Sequence, residues 1–183
     1  MRNLQDKLFA AAQDGDQAKL EGLLLHPKCD ALAKNDDGWT ALMWAARCGN
    51  ASCLQRLLQV SDPWATDHDG STALIHASFG GHTSCLQLLL PVSDPWAKTH
   101  NGWTALMHAS CGGHTSCLQL LLPVSELLVR DTWDRHASDI AMSMGYESLA
   151  RLIDAYGVAQ GEEIALSVLV PAGAPQKRNS RRV

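Results

Sequence analysis

Apolar residues recur three and four positions apart along most of the chain, in short stretches separated by glycine or proline. One kind of stretch has the form Thr-Ala-Leu-x-x-Ala, as in residues 104–109. The other has the form Cys-Leu-Gln-x-Leu-Leu, as in residues 117–122. This spacing predicts two short amphipathic helices in succession, and the sequence carries no alternating pattern of the strand type. We therefore expect an all-α fold.

The pair of stretches repeats along the chain at a lag of 32 residues. Residues 80–93 and 112–125 are identical at all fourteen positions, and Gly-x-Thr-Ala-Leu-x occurs at 38–43, 70–75 and 102–107. A degenerate copy follows, with Asp134 in place of the glycine and His136 in place of the threonine. Near the N-terminus, residues 11–16 align with 45–50 at a lag of 34. The sequence thus predicts five helix-turn-helix units.

The expected domain covers residues 1–160, with units at about 4–36, 37–68, 69–100, 101–132 and 133–160. A tail, 161–183, lies outside the repeat pattern. Within it, 164–170 fits either a short helix or a strand, because seven residues of periodicity do not decide between them. The part after residue 170 is basic, and we expect it to be disordered.

Polar and glycine residues mark where the helices begin and end. The threonines that directly precede the first helices are expected to cap their free amide groups: Thr40, Thr72 and Thr104. The glycines between the two helices are expected to take the positive φ of a helix C-terminus: Gly49, Gly81 and Gly113.

Units of this length with these signals resemble the ankyrin repeat family. The resemblance runs from about residue 4 to 157 and is closest at Thr104-Ala105-Leu106-Met107-His108-Ala109, followed by Gly113-His114 and three leucines. Alanine replaces the family's usual proline, and methionine or isoleucine its first histidine. The resemblance implies a solenoid of antiparallel helix pairs with projecting loop tips, which binds proteins on its concave face.

Charge and cysteine content narrow the class of protein. Four basic residues in the last thirteen positions contribute to a net charge of −4, which leaves −8 for residues 1–170. So acidic a body disfavours nucleic acid as a partner. The six cysteines form no Cys-x-x-Cys pair, and three recur at a lag of 32, which indicates packing rather than disulfides or zinc. No apolar run approaches the length of a membrane span, and no secretory signal begins the chain. We expect a cytoplasmic protein.

The tryptophans fall into two sets by their columns in the repeats. Trp64 and Trp96 share a column with Leu32 and Leu128, and we expect this apolar row to pack between loops. Trp39 and Trp103 follow the tip glycine in a column that also accepts serine and arginine. We expect these two side chains to be exposed at the tips as anchors for a partner, with the alternative that they fold down onto neighbouring loops.

The candidate partner-binding residues are those of the loop tips and of the variable positions of the first helices, which the resemblance places on the concave side. They are Asp36, Asp37, Trp39, Trp44, Arg47, His68, Asp69, Ser71, His76, Phe79, His100, Asn101, Trp103, His108, Cys111, Trp133 and Arg135. His82 and His114, by contrast, are expected to make structural hydrogen bonds at the turn between helices.

The prediction is a non-enzymatic, monomeric protein-interaction module without cofactor, metal, small-molecule substrate or membrane attachment. One alternative is a metal-dependent enzyme or metal-binding protein that uses His68, His76, His100 and His108. The sequence lacks the His-Glu-x-x-His, phosphate-loop and nucleophile-elbow motifs that would support it. A further alternative is electrostatic attachment to nucleic acid or anionic lipid through the basic tail.

Overall fold

Pairs of short helices follow one another along the chain in the computed structural model, which describes residues 2–169 and the side chains of residues 4–161. Within residues 2–169 there are ten α-helices and no β-strand, which confirms the predicted all-α architecture. They are α1 (Arg2–Asp14), α2 (Gln17–Leu24), α3 (Ala41–Cys48), α4 (Ala51–Leu57), α5 (Ala73–Gly80), α6 (Thr83–Leu89), α7 (Ala105–Cys111), α8 (Thr115–Leu121), α9 (Ala137–Ser143) and α10 (Glu147–Leu169). A short 3-10 helix, Leu122–Val124, follows α8.

The capping residues lie where the sequence predicts them. The hydroxyl oxygens of Thr40, Thr72 and Thr104 accept hydrogen bonds from the backbone amides three residues later, at 3.3 to 3.4 Å. Each threonine has extended backbone geometry, as an N-cap requires. The glycines between the helices have φ values of 79°, 73° and 68°. These are Gly49, Gly81 and Gly113.

The core forms one continuous layer along the stack. First helices contribute alanine and leucine, and second helices contribute the Cys-Leu and later leucine positions, such as Cys85, Leu86 and Leu89. Successive first helices pack more closely against one another than successive second helices do. This difference agrees with the predicted solenoid, in which the first helices α1, α3, α5, α7 and α9 line the inner, concave side.

Hydrogen bonds from the start of the second helices α4, α6 and α8 tie each of them to the preceding unit. The ring Nε2 of His82 donates to the carbonyl oxygen of Arg47 at 3.0 Å, and that of His114 donates to the carbonyl oxygen of Phe79 at 3.1 Å. In the same column, the Asn50 side chain donates to the carbonyl oxygens of Ala12 and Gln13. The structural role predicted for the two histidines is confirmed, and the bonds run between units.

The last helix pair keeps the geometry of the others despite its degenerate sequence. Asp134, in the glycine column, has a φ of 62°, and the Tyr146 ring lies against Gly113 where a histidine stands in earlier units. Helix α10 continues past residue 161, the predicted start of the tail, and ends at Leu169. Residues 164–169 are therefore helical, and the predicted disorder after residue 170 lies outside the described residues.

In the part of the chain that the structure describes, none of the helices combines the length and the apolar character needed to cross a membrane.

Candidate partner-binding surface

Each loop tip is organised by one side-chain oxygen at its start. The Oδ1 atom of Asp67 accepts hydrogen bonds from the backbone amides of Asp69 and Ser71, at 2.9 and 2.8 Å. Asn35 and Asp131 accept two equivalent amide bonds each, and the Thr99 hydroxyl accepts one. These bonds close each tip into a turn of fixed shape.

Neighbouring tips are joined through their backbones. The amide of His68 donates to the carbonyl oxygen of Asp37 at 3.2 Å, and the amide of His100 donates to that of Asp69 at 2.8 Å. The Thr132 amide repeats this contact with Asn101 at 3.1 Å. The side chains of the tips are thereby held at one-unit intervals along the stack.

An aromatic cluster begins on the second unit, where the tip meets the first helix. The Trp39 ring lies 4.6 Å from the Trp44 ring of α3 and 4.1 Å from the His76 ring of α5, measured between centroids. Trp39 is half-buried. The residue after the tip glycine therefore turns inward onto the first helices.

A second series of ring contacts runs from the second unit to the last. The Arg47 guanidinium lies 4.2 Å from the centroid of the Phe79 ring, and the His108 ring lies 5.5 Å from Phe79 and 5.0 Å from Trp103. The guanidinium of Arg135 then lies 5.6 Å from the Trp103 ring and 5.1 Å from the Trp133 ring. Such cation and edge contacts are favourable arrangements of aromatic groups.

We call the two series together the aromatic ladder. Its members are Trp39, Trp44, Arg47, His76, Phe79, Trp103, His108, Trp133 and Arg135.

Two histidines of the ladder are held in a weakly hydrated setting. The buried His76 ring donates from Nε2 to Oδ2 of the buried Asp67, at 2.9 Å. Burial lowers the pKa of His76 although Asp67 acts against the shift. Burial also lowers the pKa of His108 to about 4, and the nearby charges of His76 and Arg47 act in the same direction. Both rings are therefore neutral near pH 7.

In the last tip, Asp131 stands in the position of Asp67, but it binds Arg135 and Trp103 where Asp67 binds His76. Its Oδ2 atom accepts from the guanidinium of Arg135 at 2.7 and 2.9 Å and from the indole of Trp103 at 3.1 Å. Burial acts to raise the pKa of Asp131, but the hydrogen bonds from Arg135 and the tip amides outweigh it and lower the pKa. The carboxylate thus fixes two ladder side chains.

The predicted binding residues separate by accessibility. Those exposed at the tips or on a first helix are Asp36, Asp37, His68, Asp69, Phe79, His100, Asn101 and Trp133. Those partly buried are Trp39, Trp44, Arg47, Trp103, His108, Cys111 and Arg135. Ser71 and His76 are buried, because the tip turn and the bond to Asp67 draw them inward, so they offer little surface to a partner.

The accessibilities of the two tryptophan sets are the reverse of those expected. Trp39 and Trp103 are half-buried rather than exposed, as in the alternative in which they fold down onto their neighbours. The expectation that Trp64 and Trp96 pack between loops is wrong, since their side chains are 60% and 55% exposed. The Asp-Pro turn explains this, because Asp62 and Asp94 accept from the amides of these tryptophans and turn their side chains outward.

The cysteines that recur at a lag of 32 pack in the core, as predicted. Cys53, Cys85 and Cys117 are fully buried, and all six cysteines are free thiols. Burial raises the pKa of Cys85 to about 11, which keeps its thiol protonated. Among the described residues, no group of three or more histidine, cysteine or acidic side chains is placed to hold a metal ion. We find no observation that favours the metal-dependent alternative.

Sequence reasoning missed the residues that set the shape of the tips. Asn35, Asp67, Thr99 and Asp131 occupy one column at a lag of 32, and each has a short side chain with an oxygen acceptor. A side-chain oxygen acceptor at the same position of every repeat could have predicted this role, because such residues favour turns of this kind.

Comparison with known proteins agrees with this architecture. The chain matches a family model described as ankyrin repeats (3 copies) over residues 8–99 and 81–162. It is also 42% identical over 53 residues to the NAD-capped RNA hydrolase NUDT12 of Homo sapiens, Pongo abelii and Macaca fascicularis. The match covers 29% of this chain and 12% of each of those proteins.

Proposed function

Since the chain belongs to the ankyrin repeat family, we propose that it is a non-enzymatic interaction module that binds a protein partner through the aromatic ladder and the neighbouring loop tips. The observation that carries this proposal is the series of ring and guanidinium contacts from Arg47 to Trp133 along the concave side. These contacts run through the second, third, fourth and last units.

The composition of the ladder suits binding more than stability. Tryptophan and arginine are enriched among residues whose truncation costs most at protein interfaces. Phe79 and Trp133 keep about half or more of their surface exposed, whereas Arg47 and Arg135 are held against them by ring contacts. Because these side chains are already ordered, they lose little conformational entropy when a partner binds.

The tips add a negative edge to this surface. Asp36, Asp37 and Asp69 are exposed there, beside His68 and His100. Carboxylates at the rim of an interface steer an oppositely charged partner and speed its association. We therefore expect the segment that occupies the ladder to present lysine or arginine together with apolar side chains.

We also propose that the protein works in the cytoplasm and without chemistry of its own. Six free thiols favour a reducing compartment. The hydrolase activity in the name of the NUDT12 proteins is a property of those proteins, and the shared segment is 12% of their length. Nothing in the ladder resembles a nucleophile held by a general base.

A pair of tryptophans with equal exposure provides the test. Trp133 lies on the ladder and Trp64 on a connection between units, and both side chains are 60% exposed. A partner is first captured from native lysate on the wild-type chain, and its affinity is then measured with the partner free in solution. Trp133→Ala should weaken binding at least about thirtyfold, which corresponds to about 2 kcal/mol.

Trp64→Ala is the matched control and should leave that affinity unchanged. Equal affinities of wild type and Trp133→Ala, together with a loss in Trp64→Ala, would place the binding surface on the connections and would refute the proposal. Circular dichroism on each variant confirms that the fold is retained.

A further inference from the structure

An exposed apolar row crosses the molecule away from the ladder. The connections after α2, α4, α6 and α8 each place one large apolar residue outward at the same position of the repeat. These are Leu32, Trp64, Trp96 and Leu128, with exposed fractions of 57%, 60%, 55% and 85%. We call them the connection row.

Valines extend the row on the side of the second helices. Val60, Val92 and Val124 lie four residues before Trp64, Trp96 and Leu128 and are also exposed. The indole Nε1 of Trp96 donates to the carbonyl oxygen of Val124 at 2.7 Å, which joins one connection to the next. Leu32 and Trp64 line one shallow depression. The first two connections and the last two are therefore joined in pairs.

Charged residues flank the row with opposite sign on its two sides. The residues two positions before and after each row residue are also exposed, except for the half-buried Asp94. Before the row stand the acids Asp30, Asp62, Asp94 and Glu126. After it stand Lys34, Thr66, Lys98 and Arg130. Three of the four connections thus present an acid, an apolar residue and a base, in that order.

We propose that the connection row is the contact between two copies of this chain, related by a two-fold axis that runs parallel to the stack of helix pairs. With such an axis, each row residue faces the same residue of the second copy. The acidic flank of one copy then faces the basic flank of the other. Asp94 therefore faces Lys98 of the second copy. Glu126 faces its Arg130, whose guanidinium also pairs with Asp134 of its own chain at 2.8 Å. A two-fold axis across the stack would instead set acid against acid and base against base, which disfavours association.

The size of the row supports a second copy as its occupant. A tryptophan offers about 150–250 Å² for burial, so the two indoles present roughly 170–290 Å² at their exposed fractions. The leucines and valines bring the row to the upper part of the ~300–600 Å² that the largest apolar patch of a typical monomer covers. With its charged flanks, the surface is of the order of the ~800 Å² per chain that a specific dimer buries.

This inference replaces the monomer expected from the sequence and is independent of the proposed function. The row shares no residue with the aromatic ladder, so a substitution in one surface leaves the side chains of the other unchanged. The two surfaces can then be tested by reciprocal variants, each serving as the control of the other.

The test measures molar mass by sedimentation equilibrium across a dilution series. Wild type should approach twice the chain mass of 19.8 kDa as its concentration rises. The double variant Trp64→Ala/Trp96→Ala should keep the single-chain mass at concentrations at which wild type is dimeric. Trp133→Ala removes an equally exposed tryptophan from the ladder and should dimerise as wild type does. A wild type that stays at the single-chain mass throughout would overturn the proposal, as would a dimer that persists in the double variant.

The orientation has its own test at Lys98, which lies on the basic flank. Lys98→Glu places an acid opposite Asp94 of the second copy, so its dissociation constant should rise at least about tenfold, or about 1.4 kcal/mol. A dissociation constant that falls or stays the same would overturn the two-fold axis along the stack.

Discussion

The indole Nε1 of Trp103 donates a hydrogen bond to the carboxylate of Asp131 at 3.1 Å, from one loop tip to the next. The same carboxylate holds the guanidinium of Arg135, which lies near the face of the Trp103 ring. Trp103 is therefore part of the joint between the last two tips as well as part of the ladder.

Truncation of Trp103 should lower stability, unlike truncation of an exposed ladder residue. Trp103→Ala removes the bond to Asp131 and the contact with His108, and we expect the free energy of unfolding to fall by about 1–3 kcal/mol. Trp133→Ala should change it by less than about 0.5 kcal/mol. Urea unfolding followed by circular dichroism measures both, and equal losses in the two variants would contradict this assignment.

The pH dependence of stability should carry the signature of His108. Its pKa is about 4 in the folded chain, because of burial first and of the charges of His76 and Arg47 second. An unfolded histidine titrates near 6.5. Since the unfolded chain takes up the proton first, stability should be constant above about pH 6.5 and should fall as the pH is lowered towards 4, by at most about 3 kcal/mol.

His108→Phe keeps a ring between Phe79 and Trp103 but removes this titration. Urea unfolding at pH 7 and pH 4.5 should show a smaller loss in His108→Phe than in wild type. His100→Gln replaces an exposed histidine and should retain the wild-type loss. An equal loss in wild type and His108→Phe would contradict the buried, neutral state of this ring.

The central leucines should carry the stability of the stack. Leu89 and Leu121 are fully buried in second helices, and Leu89→Ala or Leu121→Ala should cost about 2–5 kcal/mol. Leu25, by contrast, is 79% exposed, and Leu25→Ala should change stability by less than about 0.5 kcal/mol. Unfolding midpoints that are the same in all four proteins would refute the packing of the repeats.

Two glycines should respond to alanine with opposite signs. Gly81 has a φ of 73°, and a Cβ atom there would lie 2.5 Å from Nδ1 of His114, so Gly81→Ala should cost about 2 kcal/mol or more. Gly22 lies within α2 with open space around it, so Gly22→Ala should gain about 0.5–1 kcal/mol. Thermal unfolding distinguishes the two variants. A shift of the unfolding temperature in the same direction in both would contradict the left-handed backbone of Gly81 or the helical backbone of Gly22.

The fold was predictable from sequence because its signals are local and repeated. The threonines before α3, α5 and α7 and the glycines after these helices act on the nearest few residues, and the lag of 32 identifies each signal three times. Even Asp134 was placed correctly in the glycine column, and its φ of 62° shows that the turn survives the substitution.

The directions of the tryptophan side chains were not predictable in the same way. A column that tolerates serine and arginine beside Trp39 and Trp103 looks exposed in sequence. The partners of these rings lie further along the chain, however: His76 is on the next first helix and Asp131 is in the next loop tip. For Trp64 and Trp96, an apolar column looked buried, whereas the Asp-Pro turn directs it outward. Both outcomes depend on turn geometry and contacts between units, which column composition does not record.

The hydrogen bonds of His82 and His114 give the molecule a direction. Each reaches back by one unit to the carbonyl of a ladder residue, Arg47 or Phe79. Detachment of the helix pair α7 and α8 from the C-terminal side would release Phe79, whereas fraying of α1 and α2 at the other end would leave both bonds in place. Loss of α7 and α8 would therefore break the bond to Phe79 and remove the ladder residue His108, whereas loss of α1 and α2 would break neither of these bonds and remove no ladder residue.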